Sequence, residues 1–140
     1  RPADAAELDT AGIDRFTTLA TASIDNPDFN EFLGVFLSRY RLAPDPIGPE
    51  KPDTQDELLH ALNGGAILRH NPWTRLLWSQ SRGEALLFAA GDTYPCSIEL
   101  ASAVCKRRKL AERGLTLAGA APGLFCDLLN GGHLYLEVLE

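Results

Sequence analysis

Thr54 to Leu68 reads TQDELLHALNGGAIL, and Phe125 to Glu137 reads FCDLLNGGHLYLE. In both stretches an apolar helical pattern runs into Leu-Asn-Gly-Gly and emerges as a short apolar strand pattern, with Leu62-Asn63-Gly64-Gly65 matching Leu129-Asn130-Gly131-Gly132. Asn and Gly end helices because they reach the left-handed region at little steric cost. Each copy therefore reads as helix, sharp turn, strand. The echo is short, and one local solution to ending a helix, used twice, explains it as well as duplication does.

Working outward, Thr54 followed three residues later by Glu57 is a capping box, and Leu58, Leu59, Ala61 and Leu62 supply the buried side of the helix it opens. Ala66 to Leu68 reads as a strand and Asn71-Pro72 as a turn. Trp73 to Ser79 and Glu84 to Ala90 read as two strands joined around 80–83, with a further turn at Gly91-Asp92. Ser97 caps a helix running to about Lys106, with Ile98, Ala101, Val104 and Cys105 inward. A last helix starts near Pro122 and ends at Asn130, and His133 to Leu139 is a strand able to pair with an earlier one. This is a small α+β domain of the winged-helix kind over 54–140, with a small antiparallel sheet.

Upstream, Ala3 to about Ser23 carries Leu8, Ile13, Phe16, Leu19 and Ala20 near one helical stripe, weakened by Gly12 and several threonines. Asp25-Asn26-Pro27 breaks it, with Asn26 as cap and Pro27 as first residue of a second helix. Phe29, Phe32, Leu33, Phe36, Leu37 and Tyr40 then recur at helical spacing. That stripe is more than a two-helix hairpin can bury against itself, so Phe29, Phe32, Leu33, Phe36 and Tyr40 are a candidate subunit interface of a homodimer. Residues 1–41 form a helical dimerisation segment in this reading. Pro44, Pro46, Pro49 and Pro52 make 42–53 an extended connection.

The 140 residues, 45% hydrophobic and 23% charged, suit one globular domain with an appendage. No apolar run is long enough to span a membrane and no signal pattern opens the chain, so a cytoplasmic location is expected. Arg1-Pro2 and the absence of Met suggest a piece of a longer protein. The net charge is -6, with five basic and ten acidic side chains up to Asp53 and eight against nine thereafter, which disfavours phosphate backbones.

Chemistry is harder to find. Cys96, Cys105 and Cys126 form no Cys-x-x-Cys pair and read as buried thiols. His60, His70 and His133 lack the His-x-Asp or His-x-Glu neighbour of an iron facial triad, and zinc spacings fail too, so neither a metal nor a catalytic residue is expected. The glycine pairs end helices and do not start them, which excludes a phosphate loop. Lys106, Arg107, Arg108 and Lys109 remain a candidate nucleic-acid contact, although cations in the last turn of the preceding helix would complement its dipole. A small enzyme with an unrecognised site is a third possibility left open by the residues.

The order of these features resembles the C-terminal half of bacterial ribosomal oxygenases, the cupin-type, JmjC-like hydroxylases of a large-subunit ribosomal protein arginine. The resemblance rests on FLGVFLS at 32–38, the Pro-rich connection, ELLHAL at 57–62, LLFAAG at 86–91, VCKRRKL at 104–110 and LNGGHLY at 129–135. It implies a parent with an Fe(II)- and 2-oxoglutarate-binding barrel outside this chain, a ribosomal protein substrate, and a homodimer made through the helical segment. No residue here matches that family's iron ligands, so no activity or cofactor is implied for this stretch itself. One departure is Ala90 before Gly91, where the family often has Asn-Gly, which leaves the turn type open. A free-standing winged-helix module that binds nucleic acid is the alternative.

Overall fold

The computed structural model describes residues 10–23, 27–39, 45–81 and 83–138. Contacts divide the chain into two compact units, 1–33 and 34–140, so the division falls inside the second helix.

The first unit holds α1 (Thr10–Ser23) and the first part of α2 (Pro27–Ser38). Residues 3–9 of the expected first helix, and the Asn26 cap, lie outside the described residues. Thr17 and Thr21 in α1 donate their hydroxyls to the carbonyls of Ile13 and Thr17, at 2.9 and 2.8 Å, which gives these poor helix formers an internal partner. Pro27 opens α2, as expected of proline at a first turn.

The second unit begins with the rest of α2. A Cβ at Gly34 would sit 2.3 Å from the Phe88 ring, so backbone and ring meet where no side chain could intervene. Ser38 is buried, donates to Val35 O at 3.1 Å and accepts from Gly91 N at 3.0 Å. From Asp45 the Pro-rich stretch forms neither helix nor strand and bends at Glu50 and Lys51, and it ends tied to the domain: Asp53 N donates to Asn130 Oδ1 (2.9 Å) and Asp53 O accepts from Asn130 Nδ2 (3.1 Å).

The two Leu-Asn-Gly-Gly units fold alike. In α3 (Gln55–Asn63), Thr54 Oγ1 accepts from Glu57 N at 3.2 Å, and its hydroxyl meets Glu57 Oε1 at the same distance. At its end Gly65 N bonds Leu62 O and Ala66 N bonds Ala61 O; after α6 (Pro122–Asn130), Gly132 N bonds Leu129 O and His133 N bonds Leu128 O. Both are Schellman stops, with the second glycine carrying the left-handed angle, φ 100° at Gly65 and 78° at Gly132. The strands that leave these turns, β1 (Ile67–His70) and β5 (Leu134–Glu137), pair antiparallel, Leu68 opposite Leu136 and His70 opposite Leu134. Leu68 and Leu134 turn into the core, while Arg69 and Glu137 pair at 2.7 Å on the exposed face.

Between them lies a meander, β2 (Leu76–Ser81), β3 (Glu84–Ala89) and β4 (Asp92–Cys96), in that order. The strand expected from Trp73 starts only at Leu76, the turn expected at Gly91-Asp92 falls one residue earlier, and β4 is a strand for which the sequence reading has no counterpart. Pro95 explains the last difference: β4 is an edge strand, where a residue without an N–H is tolerated. Ala90 and Gly91 alone join β3 to β4, both at positive φ (47° and 94°), so the turn keeps the primed geometry that Asn-Gly would have given.

Ser97 caps α4 (Ile98–Val104), accepting from Leu100 N at 3.2 Å; Ala101, Ala103 and Val104 are buried, while Ile98 and Cys105 are half-buried. The chain then forms α5 (Arg107–Ala120), a helix the sequence reading lacks. It is kinked at Arg113 (φ -119°, ψ 19°), and Gly114 beyond the kink lies flat on Leu68, whose Cδ1 is 3.3 Å from where a Cβ would be. The core gathers Leu58, Leu62, Leu68, Leu87, Leu110, Leu117, Phe125, Leu128 and Leu134, one or more from α3, β1, β3, α5, α6 and β5.

Candidate functional site

Helical spacing decides what α2 shows to solvent. Phe32 and Phe36 are 63% and 53% exposed, and Leu33 and Leu37, one position on, are 38% and 44% exposed. Residues four apart share a face, so these are two adjacent apolar rows. Phe29 is half-buried, and Tyr40 lies outside the described residues. On the other side Gly34 and Ser38 approach Phe88 and Gly91.

The basic run has a different setting from the one expected. Lys106 to Lys109 do not close a helix; Lys106 is the N-cap of α5 and Arg107 its first residue. Cations at an N-terminus oppose the helix dipole, so the dipole argument for their placement fails. The cap has no side-chain hydrogen bond and the first turn no acidic residue. All four are exposed; Arg108 pairs with Glu112 at 2.8 Å, one turn on.

The histidines are dispersed over separate partners. His60 is exposed on α3. His70 Nε2 donates to Val104 O; burial lowers its pKa, that hydrogen bond opposes the shift, and the Arg107 charge adds to it. His133 is buried, with Nε2 2.9 Å from Asp92 Oδ2 and its ring edge-on to Tyr94. Burial, with the charges of Asp92 and Asp127, pushes Tyr94 up to about 12. The His133 to Asp92 clasp joins the α6–β5 turn to the β3–β4 turn, and no spacing in the sequence announces it. Burial also raises all three thiols, Cys105 to about 11, which keeps them protonated and poor nucleophiles.

Among the described residues no three His, Cys, Asp or Glu side chains converge as a metal site, so the iron that the resemblance implies for a parent finds no matching ligand set among them. No described helix is long and apolar enough to cross a membrane.

A helix pair stop-capped in the same way, a strand from each zipped together, and a three-stranded meander beside them define an α+β winged-helix domain preceded by helices. The chain belongs to the ROXA-like winged helix family, whose match spans residues 22–135.

No curated protein sequence matches it. Among solved structures, Escherichia coli YcfD is similar at 22% identity and a TM-score of 0.69, over 98% of this chain and 37% of that one. A crystal structure described as the Escherichia coli ribosomal oxygenase YcfD gives 23% and 0.67. The YcfD complex with cobalt and 2-oxoglutarate gives 21% and 0.64. At these identities the likeness carries the fold, and this chain spans a little over a third of the length of those proteins.

Proposed function

We propose that this chain is the non-catalytic C-terminal part of a 2-oxoglutarate- and Fe(II)-dependent ribosomal protein hydroxylase acting on an arginine, and that it serves homodimerisation and support of the barrel that holds the chemistry. The observation that carries this reading is one of coverage: nearly all of this chain, and just over a third of YcfD, correspond. Family membership over 22–135 supports it. In this reading residues 1–41 dimerise, 42–53 connect, and 54–140 are the winged helix.

The exposed rows of α2 support the dimer. Burying Phe32 and Phe36, on the order of 100 Å² each at about 25 cal/mol per Å², contributes roughly 5 kcal/mol per protomer before association entropy is subtracted. A two-fold axis would lay the stripe against itself. Light scattering at tens of micromolar tests it: the wild type is expected at dimer mass and Phe32→Asp/Phe36→Asp at monomer mass. A monomeric wild type, or a double variant that stays dimeric, refutes the interface.

A further inference from the structure

A cavity of about 600 Å³ opens between β2, α4 and α5, a size that suits a small organic ligand. Its floor is apolar and belongs to the core side of the domain. Trp78 stands opposite Leu87, which is fully buried, and residues directly opposite in a ladder share a face, so Trp78 lies in the inward row of β2. It is nevertheless 37% exposed, because the space beside it is this cavity. Leu100 of α4 and Leu117 of α5, both part of the core packing, line the same space. The rim is charged. Lys109 and Arg113, one turn apart on α5, both line the cavity and both are exposed. Neither has an ion-pair or hydrogen-bond partner among the described residues, unlike Arg108, whose guanidinium meets Glu112. The acid in the wall, Glu99, sits in the first turn of α4, where it complements that helix's dipole, and two cations against one carboxylate leave the rim positive.

We propose that this cavity binds a small apolar carboxylate, its ring or chain laid on Trp78, Leu100 and Leu117 and its carboxylate held between Lys109 and Arg113. The floor supplies affinity by removing the body of the ligand from water, and the two cations orient it through charge-assisted hydrogen bonds that a neutral apolar molecule cannot match. An aromatic body gains a further partner in the Trp78 ring, against which it lies offset-stacked. A phosphate backbone is disfavoured, since the apolar floor offers it nothing and the chain's net charge of -6 repels a long polyanion. Such a site lies wholly within the winged helix and is independent of the dimer and of any catalytic barrel.

Titration calorimetry of the whole chain with 2-naphthoate, decanoate, 2-naphthol and a single-stranded RNA oligomer tests the assignment. Saturable binding of 2-naphthoate or decanoate is expected, and the tighter of the two shows whether ring or chain is preferred. 2-Naphthol, which lacks the carboxylate, should bind about tenfold more weakly than 2-naphthoate, as loss of one charged hydrogen-bonding group does. Lys109→Gln/Arg113→Gln should abolish that difference while leaving 2-naphthol binding as in the wild type, a selective loss that a merely structural role for the two cations would not produce. Arg108→Gln, the same change of charge outside the wall, should leave every affinity unchanged. Trp78→Ala should weaken 2-naphthoate about tenfold and Trp73→Ala should not. Circular dichroism checks each variant, and the exposed positions of Lys109 and Arg113 keep their replacement informative if Trp78→Ala fails to fold. Absence of saturable binding at millimolar carboxylate, 2-naphthol bound as tightly as 2-naphthoate, an equal loss in Arg108→Gln, or binding of the RNA alone would each overturn the proposal.

Discussion

Ala90 holds a backbone angle of φ 47° in a two-residue turn whose other member is Gly91. A Cβ in that region is strained by about 1–2 kcal/mol, part of which glycine's greater freedom in the unfolded chain would give back. Ala90→Gly is therefore expected to stabilise the domain by roughly 1 kcal/mol, read as a higher urea midpoint at unchanged slope. A lower midpoint would mean the turn is not strained. His70 acts through protons. Its folded pKa lies below the ordinary 6.5, so between the two values the unfolded chain binds more protons than the folded one. Its contribution is complete above about pH 6.5 and is lost as pH falls through that window. Denaturation from about pH 7.5 to pH 5 should show a steeper loss in the wild type than in His70→Gln, which keeps a donor for Val104 O and cannot titrate. Equal slopes would assign the pH dependence elsewhere.

Among the elements, α5 was the least legible and is mechanically the most telling. A helix whose middle residue, Arg113, leaves helical geometry has no single phase, so its buried Leu110, Gly114, Leu117 and Ala118 do not line up as one stripe in the sequence. The basic run at its start looked like the end of α4 for the same reason. β4 was hidden by Pro95, which only the edge position makes acceptable. The helix signals at Thr54, Ser97 and Pro122, and the paired glycine stops, were legible because each is a local bond or a local angle. Gly114 tests how closely α5 lies on β1. Gly114→Val should cost about 2–3 kcal/mol by overpacking against Leu68, whereas Gly114→Ala should fall within about 1 kcal/mol of wild type because its better helix propensity offsets a tight contact. Chemical denaturation separates the two, and a harmless valine would contradict the close approach.

For the whole molecule, the apolar rows of α2 could be read in advance, since spacing alone fixes a helix face. The cavity walled by Trp78, Lys109 and Arg113 could not: it joins residues far apart in the chain, and α5 had to be seen first. The β1–β5 ladder has a bearing on time. Arg69 and Glu137, its exposed ion pair, are 68 positions apart. Closing so long a loop costs about 2.5 kcal/mol more than closing a four-residue hairpin, so this pairing comes late, after the meander and helices between have shortened the path. During synthesis β1 must wait, its edge unpaired, until the final strand has emerged, and the domain is exposed to misassembly for that interval. Removing residues from 133 onward should prolong the interval indefinitely. Such a chain is expected to be rapidly proteolysed and prone to aggregate at concentrations where the intact chain remains dispersed, and a truncated chain with undiminished protease resistance would show that the ladder is dispensable.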